Sequence, residues 1–559
     1  MVSQNLSLED SEASNSADLE EAVGSWPESA DLATLAAVGT NQQVCSDLSG
    51  PAVLVSHDLP TFLQRGETFT GTIKILNCSK ATWKKYNGTR GHNFGPVNPQ
   101  ENNTFGPTRY ILPNDVAPGA SVDLPVYGTA PSTNGSYTFQ LGLVKELVKW
   151  ITPYLSPHLF IVGDRTVCEA ARPLANTAQD AKVTIQRCLD SAPVNTAVVL
   201  PAGTYLLSGQ LTVKNTISLV SEAAITARQQ FNCDVAPYTN CVVLKASSSY
   251  VGSGTREPEI AVLRVASAAG GNVNNFAMLN VVIDGNISER LAVAPLEKCV
   301  AGVSRDFNIS ANSYNFKMFR SASVNAICGT GLSLFGGTST EGGGSVIAYS
   351  LFAFNGTHKQ RDGNHGPWAD GASIVGRNMY VFNNTFYNNT DVDLIFWYSK
   401  GSHIHYNRIN HDNKDYHSYA AFMLTSNPND TLGADHTGTV FSFNKIKCGR
   451  ACGFGVVVGG KSWSVEAMQV VGGTIKNNII QGTFQAINVA GAGTKASPVL
   501  ISNNKIVNTR YVQNTCGQTT TDLVFDPGSV VKHDVKSSVN NKGWNCALPS
   551  CNFDTKFCN

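Results

Sequence analysis

"NTAQDAKVTIQRCLDSAPVNTAVVLPAGTY", Asn176 to Tyr205, changes period halfway along. Ala181, Ile185, Cys188 and Leu189 fall at helical spacing, one amphipathic helix. "AVVLPAGTY" follows as an apolar strand closed by a glycine turn. Downstream, "VFNNTF", "HYNRI", "SFNKI", "KNNII" and "SNNKI" each place an Asn two residues before an apolar residue. These asparagines, Asn384, Asn407, Asn444, Asn478 and Asn504, follow one another at 23, 37, 34 and 26 residues. Antiparallel strands joined by turns would recur every 8 to 12 residues or so. The longer interval fits the coils of a solenoid, with loops absorbed as insertions. An Asn at the same turn of successive coils can stack and satisfy buried backbone groups.

Residues 1–48 read as a disordered acidic leader, with too little apolar surface to offset ordering entropy. From Pro51 to about Val162 alternating strands appear, "TFTGTIKILN", "SVDLPVYGTAP" and "NGSYTFQLGLVK", with Gly and Pro at the turns. Trp83 after "NCSKAT", Arg109, the turn Pro118-Gly119, "TAP" at Thr129 to Pro131, "GSYTF" at Gly135 to Phe139 and Trp150 resemble an Ig-like domain family. That family is named for its tryptophans and occurs in autophagy receptors and bacterial secreted proteins. The resemblance implies a β-sandwich module over 50–163, with its Trp residues in the core. The helix, the strand and the many short strands after them resemble the opening of a right-handed parallel β-helix of the pectin-degrading type. The fold class is therefore all-β: an Ig-like sandwich, a right-handed parallel β-helix over 166–515, and a cap over 516–559 stapled by Cys516, Cys546, Cys551 and Cys558.

Net charge is zero and 15% of the 559 residues are charged, so nothing suggests the polyanion-binding surface that nucleic acids need, and no nucleic-acid partner is expected. No apolar run spans a membrane. Fourteen cysteines without zinc-finger spacing, together with sequons that include Asn77, Asn134, Asn286, Asn355, Asn383 and Asn429, point to an extracellular or cell-wall glycoprotein with disulfides. Met1 to Thr40 lacks a basic n-region and an apolar h-region, so the expectation is that either a signal peptide has been removed from this version of the chain or the extracellular reading is wrong. A monomer is expected.

Three carboxylates stand out. Asp370 in "WADGASI" lies 21 and 23 residues before Asp391 and Asp393 in "NTDVDLIF". Equivalent positions in neighbouring coils lie about 4.8 Å apart, so one coil of offset would stack them. Asp391 and Asp393, two apart on a strand, should share a face, making one exterior acidic patch. Like charges this close raise at least one pKa and supply an acid beside a base. His365, Trp368, Trp397, Tyr398, His403, His405, His411 and His417 surround these phrases, and six of the eleven histidines lie between His358 and His417. Aromatic faces suit sugar rings.

The same phrases resemble the polygalacturonase-like clan of inverting glycoside hydrolases, in which an Asn-Thr-Asp-Gly strand precedes an Asp-Asp strand by one coil. Asp370 matches the first position, and Asp391 with Asp393 the second. In this chain the later pair is not adjacent, no Gly-His-Gly follows, and Lys445 and Lys447 match the basic strand loosely. The resemblance implies hydrolysis of a polysaccharide without a cofactor. Calcium-dependent β-helix pectate lyases are similar too, and imply Ca2+ at Asp370, Asp391 and Asp393 with Lys400 or Lys414 as base on a uronate. A third class is a non-catalytic wall or coat protein in which the sandwich is a spacer. Asp284 in "VVIDGN" reads as a turn residue. "CGRACGFGVVVGG" lacks the Lys-Ser/Thr of a phosphate loop, and its Cys448 and Cys452 can pair locally.

Overall fold

The computed structural model describes residues 45, 51–226, 231–234, 236–250, 260–267, 270–293, 306–336, 343–356, 368–413, 416–426, 434–449, 451–461, 469–509, 522–526, 528–536 and 538–540. The leader expected over 1–48 lies outside them except for Cys45, which bonds Cys78.

Residues 52–162 form three small sheets, antiparallel except where Phe62–Leu63 runs parallel to His158–Val162. Phe69, Phe105, Phe139 and Phe160 meet edge-on or tilted in their core. Trp83 is buried against Phe94, and its indole N–H reaches Ser79 Oγ at 3.1 Å. It is a core residue, as expected.

Three long parallel sheets follow, of twelve, ten and eleven strands, here called sheets I, II and III in the order a coil visits them. This is a right-handed parallel β-helix. The first coil is closed by the helix Lys182–Ser191, which buries Ile185 and Leu189 and is pinned by Cys168–Cys188. Leu211–Val213 is the edge strand of sheet III, and an open edge invites pairing. Gln186 blunts it: its side-chain amide donates to Thr212 O at 2.8 Å and accepts from Thr212 N at 2.8 Å, as a neighbouring strand would.

The asparagine column forms as the spacing predicted. Asn384, Asn407, Asn444 and Asn478 each donate Nδ2 to Oδ1 of the next, ending at Asn504, at 2.9–3.1 Å. Each also donates to a carbonyl of the sheet I strand one coil back, Asn407 to Val381 O and Asn444 to Ile404 O among them. The turn works because the residue before each Asn is left-handed: Asn383 (φ 52°), Tyr406 (60°), Phe443 (57°), Asn477 (55°) and Asn503 (55°). Asn tolerates that region, whereas Tyr and Phe there cost about 1–2 kcal/mol, so the ladder holds them in place.

Parallel pairing continues through Leu523–Phe525, Val531–His533 and Ser538–Asn540, beyond the boundary expected at 515. The cysteines Cys516, Cys546, Cys551 and Cys558 lie outside the described residues. All nine described cysteines are disulfide-bonded, Cys233–Cys241 and Cys448–Cys452 among the pairs. Among the described residues no helix is long and apolar enough to cross a membrane.

The first domain is not a spacer. Val53, Leu76, Leu159 and Ile161 pack with Val199, Val220, Phe319 and Phe382 on the outer face of sheet I. Asn383 donates across the seam to Ser156 Oγ. Three sequons are also corrected: Asn77, Asn286 and Asn355 are buried and spend Nδ2 on Val116 O, Ala246 O and Asn389 Oδ1, so a glycan there is incompatible with the fold. Asn134 is half-buried and bonds Asp164, and Asn429 lies outside the described residues.

Candidate active site

The aspartates sit where coils enter sheet III. Ala369–Val375 pairs with Val392–Tyr398, which pairs with Ser418–Leu424, each parallel. Strict alternation would send Asp391 and Asp393 to one side, but the strands bend at the corner. Leu394, Ala421, Phe422, Val456, Ala486 and Ile487 lie in the interior core, so two consecutive residues of a strand turn inward. Val392, Ala420 and Phe454 cluster instead with Ile395, Met423 and Val457 on the outer face. Asp370 aligns with Val392, whose N–H donates to Asp370 Oδ1 at 3.1 Å. Asp391 is half-buried in the turn just before its strand, and its N–H donates to Ala369 O at 3.3 Å.

Asp393 departs from expectation. It is fully buried and points inward, accepting from Asn389 Nδ2 at 2.9 Å, His411 Nε2 at 2.7 Å and Ser418 Oγ at 3.4 Å. His411 Nδ1 faces Tyr416 O at 2.9 Å. With a carboxylate oxygen at Nε2 and a carbonyl oxygen at Nδ1, the surroundings of His411 favour the ring that donates from both nitrogens, the imidazolium. Burial pulls its pKa down, but the Asp393 carboxylate outweighs it and the net shift is upward. A full inward ion pair is neither proton donor to a substrate nor substrate ligand, so Asp393 and His411 leave the proposed machinery. Gly371 allows a close approach of the next coil: a Cβ there would sit 2.4 Å from the backbone carbonyl oxygen of Asp393 and 2.9 Å from Asn389 Nδ2. That is the reason for glycine in "ADG".

The two remaining carboxylates have different surroundings. Asp370 is 7% exposed, and burial first, then the charge of Asp391, push its pKa well above the usual carboxylate range. Trp368 precedes it, half-buried, and bridges to Gly356. Trp397, on the outer face one coil on, donates its indole N–H to Ser373 Oγ at 2.8 Å. Half-buried His417 and buried Tyr419 lie on the following coil, with Tyr419 N–H donating to Asp391 O at 2.6 Å.

Other expected members are elsewhere. Tyr398 is buried at a bulge opposite Val375. Lys400, past the far end of the Val392–Tyr398 strand from Asp391, is paired with Asp435 at 2.8 Å. His403 and His405 belong to sheet I, stacked with or tilted against Tyr380 and Phe382, and Lys445 and Lys447 to sheet II. Asp284, expected in a turn, is instead the last residue of the sheet II strand Val281–Asp284, where it accepts from Asn286 N and Asn325 Nδ2. His365 and Lys414 lie outside the described residues. Tyr419 and Ser373 were missed, although Ser373 lies on the strand of Asp370 and Tyr419 on the coil after Asp391.

The expected Ca2+ set does not converge, because Asp393 faces inward and is already bonded. Among the described residues one group has ligand atoms close enough for a metal, Asp393, His411 and Cys452. Cys452 is committed to its disulfide.

No family model matches the chain, and no curated protein matches it. Solved structures do. A Yersinia enterocolitica family 28 exopolygalacturonase is 11% identical, covering 87% of this chain and 94% of its own, with a TM-score of 0.45. The Azotobacter vinelandii mannuronan C-5 epimerase AlgE6 A-module is 15% identical, covering 66% and 87%, at 0.39. DFA-IIIase from Arthrobacter chlorophenolicus is 11% identical, covering 66% and 94%, at 0.38. At such values the chemistry has to come from the geometry of this chain.

Proposed function

We propose that the protein is an extracellular glycoside hydrolase that cleaves a polysaccharide with inversion, Asp370 acting as general acid and Asp391 as general base. The observation that carries the reading is the buried Asp370 carboxyl beside Asp391, on adjacent coils of one outer face. A carboxyl kept protonated near neutral pH can give its proton to a leaving glycosidic oxygen, while the better solvated carboxylate activates water. An inverting pair works across about 6.5–9.5 Å, leaving room for that water. Trp368 and Trp397 offer apolar surface for sugar rings.

The test is a screen of purified protein against plant, algal and microbial polysaccharides. New reducing ends without the ultraviolet absorbance of an unsaturated sugar mean hydrolysis, and proton NMR of the first product reads the anomer. Absorbance rising with reducing ends, abolished by chelator, would replace this reading with calcium-dependent elimination. No cleavage of any polymer would leave the non-catalytic wall protein.

A further inference from the structure

Nine of the eleven Asn-x-Ser/Thr sequons lie among the described residues, and they differ in what each side-chain amide nitrogen is doing. Asn308 and Asn388 are buried like Asn77, Asn286 and Asn355, with Nδ2 spent on Val324 O at 2.7 Å and Asp412 Oδ1 at 2.9 Å. Asn102, Asn134 and Asn383 are half-buried, and their Nδ2 atoms donate to Pro99 O, Asp164 Oδ2 and Ser156 Oγ. A glycan on any of these eight breaks a hydrogen bond that the fold uses, and on the five buried ones it has no space in a close-packed interior.

Asn87 is the exception. It is exposed in the loop 86–91 of the first domain, and its Nδ2 has no partner among the described residues. Its Oδ1 accepts from Thr89 N at 3.2 Å, Thr89 Oγ1 at 3.1 Å and Arg90 N at 2.9 Å. Backbone N–H groups can only donate, so the amide oxygen is the atom held against the loop and the nitrogen is the atom left to solvent. Glu146 N donates to Gly91 O at 3.0 Å, which sets this loop beside the hairpin tip where Leu147 is 93% and Val148 63% exposed. A glycan is bulky and solubilising, so it suits this end of the domain, next to the most exposed apolar pair of the described residues.

We infer that Asn87 is an N-glycosylation site that takes an oligosaccharide from a lipid-diphosphate donor. In that transfer Nδ2 bonds the anomeric carbon, the bond from that carbon to the diphosphate oxygen breaks with its electron pair leaving on the lipid diphosphate, and Nδ2 gives up one proton to a base of the transferase. The site rests on the extracellular reading, under which the chain meets such a transferase, and is independent of whether Asp370 and Asp391 hydrolyse a polymer.

The test uses the full chain secreted from a eukaryotic host behind a signal peptide and treated with peptide N-glycosidase in heavy-oxygen water, which turns each occupied Asn into a labelled Asp that peptide mass spectrometry reads. The label is expected at Asn87 and at none of the other eight described sequons. Thr89→Ala destroys the sequon and should abolish the label, whereas Thr89→Ser keeps the hydroxyl and should retain it. Residue 89 is exposed, so both variants should fold and be secreted. A secreted, folded protein without label at Asn87 overturns the site. Label at Asn77 or Asn355 in that protein also overturns it, because burial would then not decide occupancy. A chain that stays inside the cell with its cysteines unpaired overturns the extracellular reading and the site together, an outcome distinct from either of these.

Discussion

At the scale of single residues, stability and chemistry pull Asp370 and Asp393 in opposite directions. The folded pKa of Asp370 lies above its unfolded value of 3.8, so the carboxyl supports folding only below that value and opposes it as pH rises through the raised pKa. Asp370→Asn should therefore raise Tm at pH 7, leave it little changed near pH 3.5, and lower the hydrolytic rate by about 10²–10⁴. A fall in Tm at pH 7 with the rate intact would make Asp370 a turn former. Asp393→Asn should do the reverse: it strands the His411 imidazolium inside, costing about 3–5 kcal/mol, as removal of one member of a buried pair does. Chemical denaturation reads the loss, and an Asp393→Asn protein as stable as wild type would restore Asp393 to the candidate catalysts. The raised pKa of His411 adds a pH signature. Its contribution is full below 6.5 and is lost as pH rises through the folded value, so His411→Gln should flatten stability on the alkaline side.

At the scale of elements, the ladder and the corner of sheet III explain what the sequence could and could not tell. Each ladder Asn before the last gives Nδ2 to the next Asn and to a carbonyl, and its Oδ1 also takes a backbone N–H from the preceding coil. Asn444→Ala leaves Ile404 O and Asn407 N without these partners, and should cost about 1–3 kcal/mol for each group left unmet. A Tm unchanged in that variant would show the ladder to be a consequence of the fold rather than a support. This part was legible because one residue type recurs at one turn, and a turn that needs left-handed φ followed by a side-chain amide leaves a mark in the sequence. The helix at Lys182–Ser191 was legible for the same reason, since a periodic apolar face needs no knowledge of the rest of the chain. The orientation of Asp393 was not. Alternation along a straight strand put it beside Asp391, and nothing local encodes the bend that turns it to His411, eighteen residues away. The strands after 515 leave no such mark, because no Asn phrase of the ladder kind precedes them and clustered cysteines are equally the pattern of a stapled cap.

At the scale of the molecule, the strand that docks the first domain on sheet I opens on a buried histidine. His158 opens the docked strand His158–Val162, is buried, and shares a hydrogen bond of 2.9 Å with Pro60 O. Burial first, then the neighbouring His57 ring at 4.7 Å, and last Arg320 on the β-helix side, hold its pKa well below 6.5. A group with a depressed folded pKa of this kind supports the folded state above 6.5, and that support is lost as pH falls below it. Protonation would set His57, His158 and Arg320 together as cations at a seam closed by Leu159, Ile161, Val220 and Phe319. His405 and His436, buried within the β-helix, also have lowered pKa values, and a global melt would mix their effects with that of His158. A local probe separates them. Hydrogen–deuterium exchange of residues 158–162, corrected for the intrinsic effect of pH on exchange, should speed up between pH 7 and pH 5 relative to the ladder strands 403–410. His158→Gln keeps a donor for Pro60 O and cannot take a charge, so the acid-side increase should shrink in that variant. Equal acceleration in wild type and His158→Gln would place the acid sensitivity elsewhere, with His405 and His436 the next residues to substitute.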